Sequence, residues 1–122
     1  MTFPFEKFIL YQKSIAWLKE AHSICKDAKG TVPHSILDQL FRASTSIPFN
    51  VAEGSGKWAE KDRRNYYRIA RGSVFECVPA IEILRVTSAI REQRYQSSYA
   101  LLEEIGKMLT SSIKRSEQAA GT

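Results

Sequence analysis

Histidine and cysteine are scarce in this chain, with two of each in 122 residues. Neither His22 nor His34 has a glutamate three positions before it, so the Glu-x-x-His pattern of bundle di-iron sites is missing. His22 reads as a core or boundary residue, and His34 as a residue at a helix start. Cys25 and Cys77 sit among apolar residues without CxxC or Cys/His spacing. They read as reduced, buried thiols. No metal site and no cofactor are expected. No run of about eighteen apolar residues occurs, which excludes a membrane-spanning helix. The opening segment, MTFPFEKFILYQKS, is interrupted by Pro4, Glu6 and Lys7 and lacks a signal peptide's apolar stretch, so a cytoplasmic location is expected.

A phosphate loop is missing as well. AEGSGK, residues 52–57, looks like one, but a P-loop needs GxxxxGK[ST] between a strand and a helix, and these glycines follow a helix. Serines are plentiful, yet nothing in their spacing fixes a Ser/His/Asp geometry. The chain is therefore expected not to be an enzyme.

What the chain does have is apolar residues spaced alternately three and four apart, the signature of one face of a helix. Phe8, Tyr11, Ile15, Leu18, His22 and Cys25 form the first stripe, widened by Trp17, Ala21 and Ile24. Gly30 marks the end of that helix, with Thr31 as a cap and Pro33 in the first turn of the next. Leu37, Leu40, Phe41, Ser44, Ile47 and Val51 form the second stripe, with a proline kink expected before Pro48 and a stop at Gly54 and Gly56. Tyr66, Ala70, Ser73, Cys77, Ala80 and Leu84 form the third, adjoined by Ile69, Val74 and Ile81 and bent by Pro79. Small residues here, Ala70, Gly72 and Ser73, should let a neighbouring helix approach closely. Leu101, Leu102, Ile105, Met108, Leu109 and Ile113 form the fourth, before a frayed polar tail.

No segment alternates with period two for long enough to suggest a sheet. The reading is all-α: one domain over residues 1–122, an antiparallel up-down four-helix bundle with helices near 5–28, 34–56, 60–90 and 96–117.

The net charge of +5 is concentrated. Between Lys57 and Arg71 stand six cations (Lys57, Lys61, Arg63, Arg64, Arg68 and Arg71) against Glu60 and Asp62. Lys61, Arg64, Arg68 and Arg71 share a stripe of the third helix that continues into Phe75, Val78 and Glu82. Two readings stay open. In the first, Lys57, Lys61, Arg63, Arg64 and Arg68 contact the phosphates of RNA or DNA, with Trp58, Tyr66 or Tyr67 beside them to stack bases. In the second, the chain is a protein-interaction or structural assembly module without nucleic acid, and the cations pair with carboxylates across a subunit boundary. Phe75 and Val78 are the apolar interface candidates under either reading. Asn50, Glu53, Arg71 and Glu76 form a polar cluster expected to lock the turn between the second and third helices and a subunit contact.

The stretch SIPFNVAEGSGKWAEKDRRNYYRIARGSVFE resembles a known signature, S-I-P-x-N-[IV]-A-E-G-x-G followed by K-D and I-A-R-G-S-x-x-E. That signature belongs to the four-helix bundle proteins encoded in intervening sequences of bacterial large-subunit ribosomal RNA genes. The chain is similar also to the accessory variability proteins of diversity-generating retroelements. The matching positions are Ser46, Ile47, Pro48, Asn50, Ala52, Glu53, Gly54 and Gly56, then Lys61, Asp62, Ile69, Ala70, Arg71, Gly72, Ser73 and Glu76. Three positions depart from it: Ser55 where an aromatic is common, Ala59 where a serine often caps the third helix, and Arg63 where an apolar residue is usual. The resemblance implies a small cytosolic bundle assembling as a ring-like homopentamer. For the retroelement members it implies a basic surface that engages nucleic acid and a reverse transcriptase.

Overall fold

The computed structural model describes residues 2–121. Among them are a short 3₁₀ turn, Pro4–Lys7, and four α-helices: α1 (Ile9–Ala28), α2 (His34–Ser55), α3 (Glu60–Val86) and α4 (Glu92–Gly121). The helices pack as a bundle in the cyclic order α1–α2–α3–α4, each resting on two neighbours. No helix among the described residues is long and apolar enough to cross a membrane.

The core face of α1 is not the expected one. Leu10, Ser14, Trp17, Ala21, Ile24 and Ala28 are buried, whereas Phe8, Ile15 and His22 are exposed. Two apolar stripes overlap on this helix, and the large Trp17 decides between them by filling the centre. Its indole N–H donates to Ser44 Oγ at 3.0 Å, and Ser44 Oγ lies 3.5 Å from Cys77 Sγ. This chain links α1, α2 and α3 through a polar group that would be costly to bury alone. Burial pushes the Cys77 thiol up from its ordinary pKa, so it stays protonated. Cys25 is also pushed up, by burial first and by the charge of Asp38 second.

In α2 the buried face is Leu37, Leu40, Ala43, Ser44, Ile47, Pro48, Val51 and Gly54, and Phe41 is turned outward. The helix runs unbroken through Pro48, as α3 does through Pro79. Thr31 does not cap α2. Its hydroxyl donates back to the Ala28 carbonyl and finishes α1, beside Gly30 in the left-handed conformation at φ +86°. Gly54 lies within the last turn of α2 rather than stopping it. A Cβ there would stand 2.8 Å from Tyr67 Cε1 and 3.1 Å from Tyr66 Cβ. Glycine at 54 therefore sets how closely α2 and α3 approach. Gly72, by contrast, faces open space.

On α3 the inward aromatic is Tyr67, whose hydroxyl is 3.0 Å from Ser55 Oγ, and Ile69 points outward. The helix ends four residues earlier than expected, at Val86. Ser88 takes the left-handed conformation at φ 62°. Ala89 N–H bonds back to the Leu84 carbonyl at 2.8 Å and Ser88 N–H to the Arg85 carbonyl at 3.0 Å. These are the two bonds of a Schellman stop, with serine in glycine's usual place. The chain then enters α4 at Glu92, and the helix continues through the polar residues expected to fray, as far as Gly121. Thr122 lies outside the described residues.

Candidate interaction surfaces

The basic segment of α3 turns toward α4. Arg64 Nη1 donates to the Ser116 carbonyl at 3.1 Å, Arg68 Nη2 to Glu117 Oε2 at 3.2 Å, and Arg71 Nε to Thr110 Oγ1 at 2.9 Å. The Arg71 guanidinium also lies 4.5 Å from the centroid of the Phe75 ring, a cation–π contact. Arg63 folds back over the α2–α3 connection: Nη2 donates to the Lys57 carbonyl at 2.9 Å, and Nη1 is 3.4 Å from Glu60 Oε1. Of the five expected phosphate-binding cations, Arg63, Arg64 and Arg68 thus have partners within the chain. Lys57 is 3.8 Å from Glu53 Oε2 and 5.2 Å from the centroid of the Tyr66 ring. Among the described residues Lys61 alone of the five forms no ion pair and no side-chain hydrogen bond. Trp58, between these two lysines, is 97% exposed.

Ser116, which sequence reasoning missed, completes this end of the bundle. Ser116 Oγ donates to Glu60 Oε2 at 2.6 Å, and the Ser116 carbonyl receives Arg64. Arg63, Glu60, Ser116 and Arg64 therefore form one continuous polar network joining the start of α3 to α4. Ser116 is separated from Glu60 by 56 positions, and no local pattern pairs them. The same holds for Arg94, which clamps α4 to α1 through Glu20 at 2.6 Å, Ser23 at 2.8 Å and Asp27 at 2.9 Å. Burial works to lower the Arg94 pKa, but its hydrogen bonds to the two carboxylates raise it overall, so the clamp stays charged.

The polar cluster Asn50, Glu53, Arg71 and Glu76 does not converge. Arg71 belongs to the α3/α4 seam, and Glu53 pairs with Lys57. Asn50 donates to the carbonyl and hydroxyl of Ser46, on its own helix. Ser46 Oγ in turn receives Ser73 Oγ from α3 at 2.8 Å, so the hydroxyls carry the α2/α3 link expected of the charges. Glu76 lies exposed beside Ser73 and Arg42, at the rim of a small surface cavity of about 330 Å³.

Phe75 stands outward on α3, and Val78 is half-buried against the core. Phe75 is 57% exposed, and both line an open groove of about 680 Å³ between α3 and α4. Val74, Leu102 and Gly106 also line it, with Tyr99, Arg71 and Lys107. A second group of exposed apolar side chains, Ile15, Phe41 and Phe49, lies on α1 and α2, where the His22 and Phe41 rings meet at 5.9 Å.

These surfaces define an all-helical bundle whose conspicuous features are open grooves and interhelical clamps. The profile of the 23S rRNA-intervening sequence proteins matches residues 6–111, and the chain belongs to that family. Its fold is also similar to the crystal structure of a protein of unknown function of the S23 ribosomal protein family from Bacteroides thetaiotaomicron. That match has a TM-score of 0.82 and 26% identity, covering 87% of this chain and 99% of the other. Among curated proteins none matches the sequence.

Proposed function

We propose that the chain is a non-enzymatic cytoplasmic scaffold, an antiparallel up-down bundle that assembles into a ring of identical copies and engages nucleic acid or a nucleoprotein. The antiparallel sense is supported at both ends of one helix pair. Arg64, near the start of α3, meets Ser116 late in α4, while Arg85, near the end of α3, meets Glu92 at 3.4 Å where α4 begins.

The observation that carries assembly is the α3/α4 groove with Phe75 more than half exposed at its edge. Its occupant in this reading is a second copy. Ile15, Phe41 and Phe49 are exposed on α1 and α2 of the same chain, away from that groove's lining. The groove of one copy and these apolar side chains of the next make a head-to-tail contact, which closes into a ring when the rotation allows. Five copies is the expected closure. A stable contact of this kind buries about 800 Å² on each partner. The nucleic-acid part rests on a narrower surface than five cations: Lys57, Lys61 and the exposed Trp58 between them.

Sedimentation velocity tests the assembly. The wild-type chain should sediment at a multiple of 13.9 kDa. Phe75→Asp should sediment as a monomer with unchanged helix content, because an exposed side chain contributes little to the fold. A wild-type monomer at tens of micromolar, about the range where weak assemblies form, contradicts the proposal. So does a Phe75→Asp protein that stays assembled.

A further inference from the structure

We infer that a second groove, between the 3₁₀ turn and the C-terminal half of α4, is a track for single-stranded nucleic acid. This rests on the nucleic-acid part of the reading above and puts the main contact on a different face. The groove has a volume of about 670 Å³, and its lining includes Lys7, Lys107 and Arg115 but no carboxylate. The α3/α4 groove, by comparison, contains Glu103.

These three cations are less engaged than the arginines Arg63, Arg64, Arg68 and Arg71 of α3. Among the described residues Lys7 has no ion pair. Lys107 is 4.0 Å from Glu103 and largely exposed, and Arg115 reaches only Ser112 Oγ, at 3.1 Å. Lys107, Ser111 and Arg115 follow one another at steps of four along α4, so the two charges are about 12 Å apart along the axis, with a hydroxyl between them. A chain bearing regularly spaced phosphates can meet both.

One exposed aromatic ring lines the groove. It is Phe8, 44% exposed. Phe3 stacks on Phe5 at 5.9 Å, and Phe5 meets Tyr11 of α1 edge-on at 4.9 Å, which ties the 3₁₀ turn to the bundle. An exposed ring beside a line of cations suits single-stranded nucleic acid: phosphates meet the charges, and a base unstacked from its neighbours lies on the ring. A duplex offers no free base faces to Phe8. An acyl chain would need an enclosed slot, and this groove is open.

The test is fluorescence anisotropy of a labelled single-stranded oligouridylate with the full chain. Three phosphate contacts predict that affinity falls by about twentyfold between 50 and 200 mM salt. A Lys7→Gln, Lys107→Gln, Arg115→Gln variant should lose that affinity and most of the salt slope. Phe8→Ala should weaken binding by roughly tenfold while keeping the slope, which separates stacking from charge. Lys57→Gln with Lys61→Gln should weaken binding less than the triple variant does. A triple variant with wild-type affinity and slope overturns the groove. If the Lys57/Lys61 variant alone abolishes binding, the groove is overturned while the nucleic-acid function stands. If the wild-type chain binds nothing at 50 mM salt, both fall.

Discussion

Between α2 and α3 the groups that meet are small: Gly54 under the Tyr67 ring, and Ser46 against Ser73. Between α3 and α4 they are long, with Arg64, Arg68 and Arg71 reaching across from one helix to the other. The first seam closes by backbone approach. The second packs where Val74 meets Gly106 and is bridged beyond that by long side chains, and an apolar groove stays open beside the contact. One helix thus presents a face fixed by packing and a face available to a partner. The two faces should respond differently to substitution.

The packed seam should be the more fragile. Gly54→Ala gains helix propensity, worth about 1 kcal/mol in an open helix. Its new Cβ, however, meets a buried ring at 2.8 Å. We expect a net loss of about 1–3 kcal/mol from overpacking, read by urea denaturation. A neutral or stabilised variant would show that α2 and α3 have slack the distances deny. Ser73→Ala should cost less, about 1 kcal/mol, because it removes the bond to Ser46 but leaves Ser46 its contact with Asn50. A double-mutant cycle with Ser46→Ala should find the two effects coupled; strict additivity would mean the hydroxyls act separately.

Much of the fold is legible in the residues. Three-four spacing marks all four helices, and Gly30 and Pro33 place the first connection. The face of α1 is not legible, because Phe8, Ile15 and His22 keep the same period as Leu10, Trp17, Ala21 and Ile24. Spacing cannot say which of two overlapping stripes a neighbouring helix will cover. The same ambiguity swaps Tyr66 for Tyr67 on α3. The end of α3 is hidden for another reason: its left-handed stop is a serine, Ser88, and nothing in the local composition announces it.

The interaction surface is legible only in part. Phe75 and Val78 stand out on the sequence as apolar residues beside the core stripe, and they line a groove. The helix-three cations stand out equally, but their partners lie about fifty positions away on α4, as Ser116 and Glu117 do for Arg64 and Arg68. A local charge count registers the cations and not what neutralises them. Lys7, Lys107 and Arg115 are scattered along the chain, and only the fold brings them to one groove.

The long-armed seam should show the smallest cost in stability per substitution, and it offers the most direct test of the claim that the α3 cations brace the bundle. Arg64→Gln with Arg68→Gln removes one bond to a carbonyl and one half-exposed ion pair. Thermal unfolding and oligouridylate affinity would be measured on the same sample at about 150 mM salt, where charges more than about 8 Å apart are screened. Stability should fall by about 1–2 kcal/mol, while affinity stays within about twofold of wild type. An unchanged unfolding temperature together with a loss of affinity of about tenfold or more would contradict the account and return these arginines to the nucleic-acid surface.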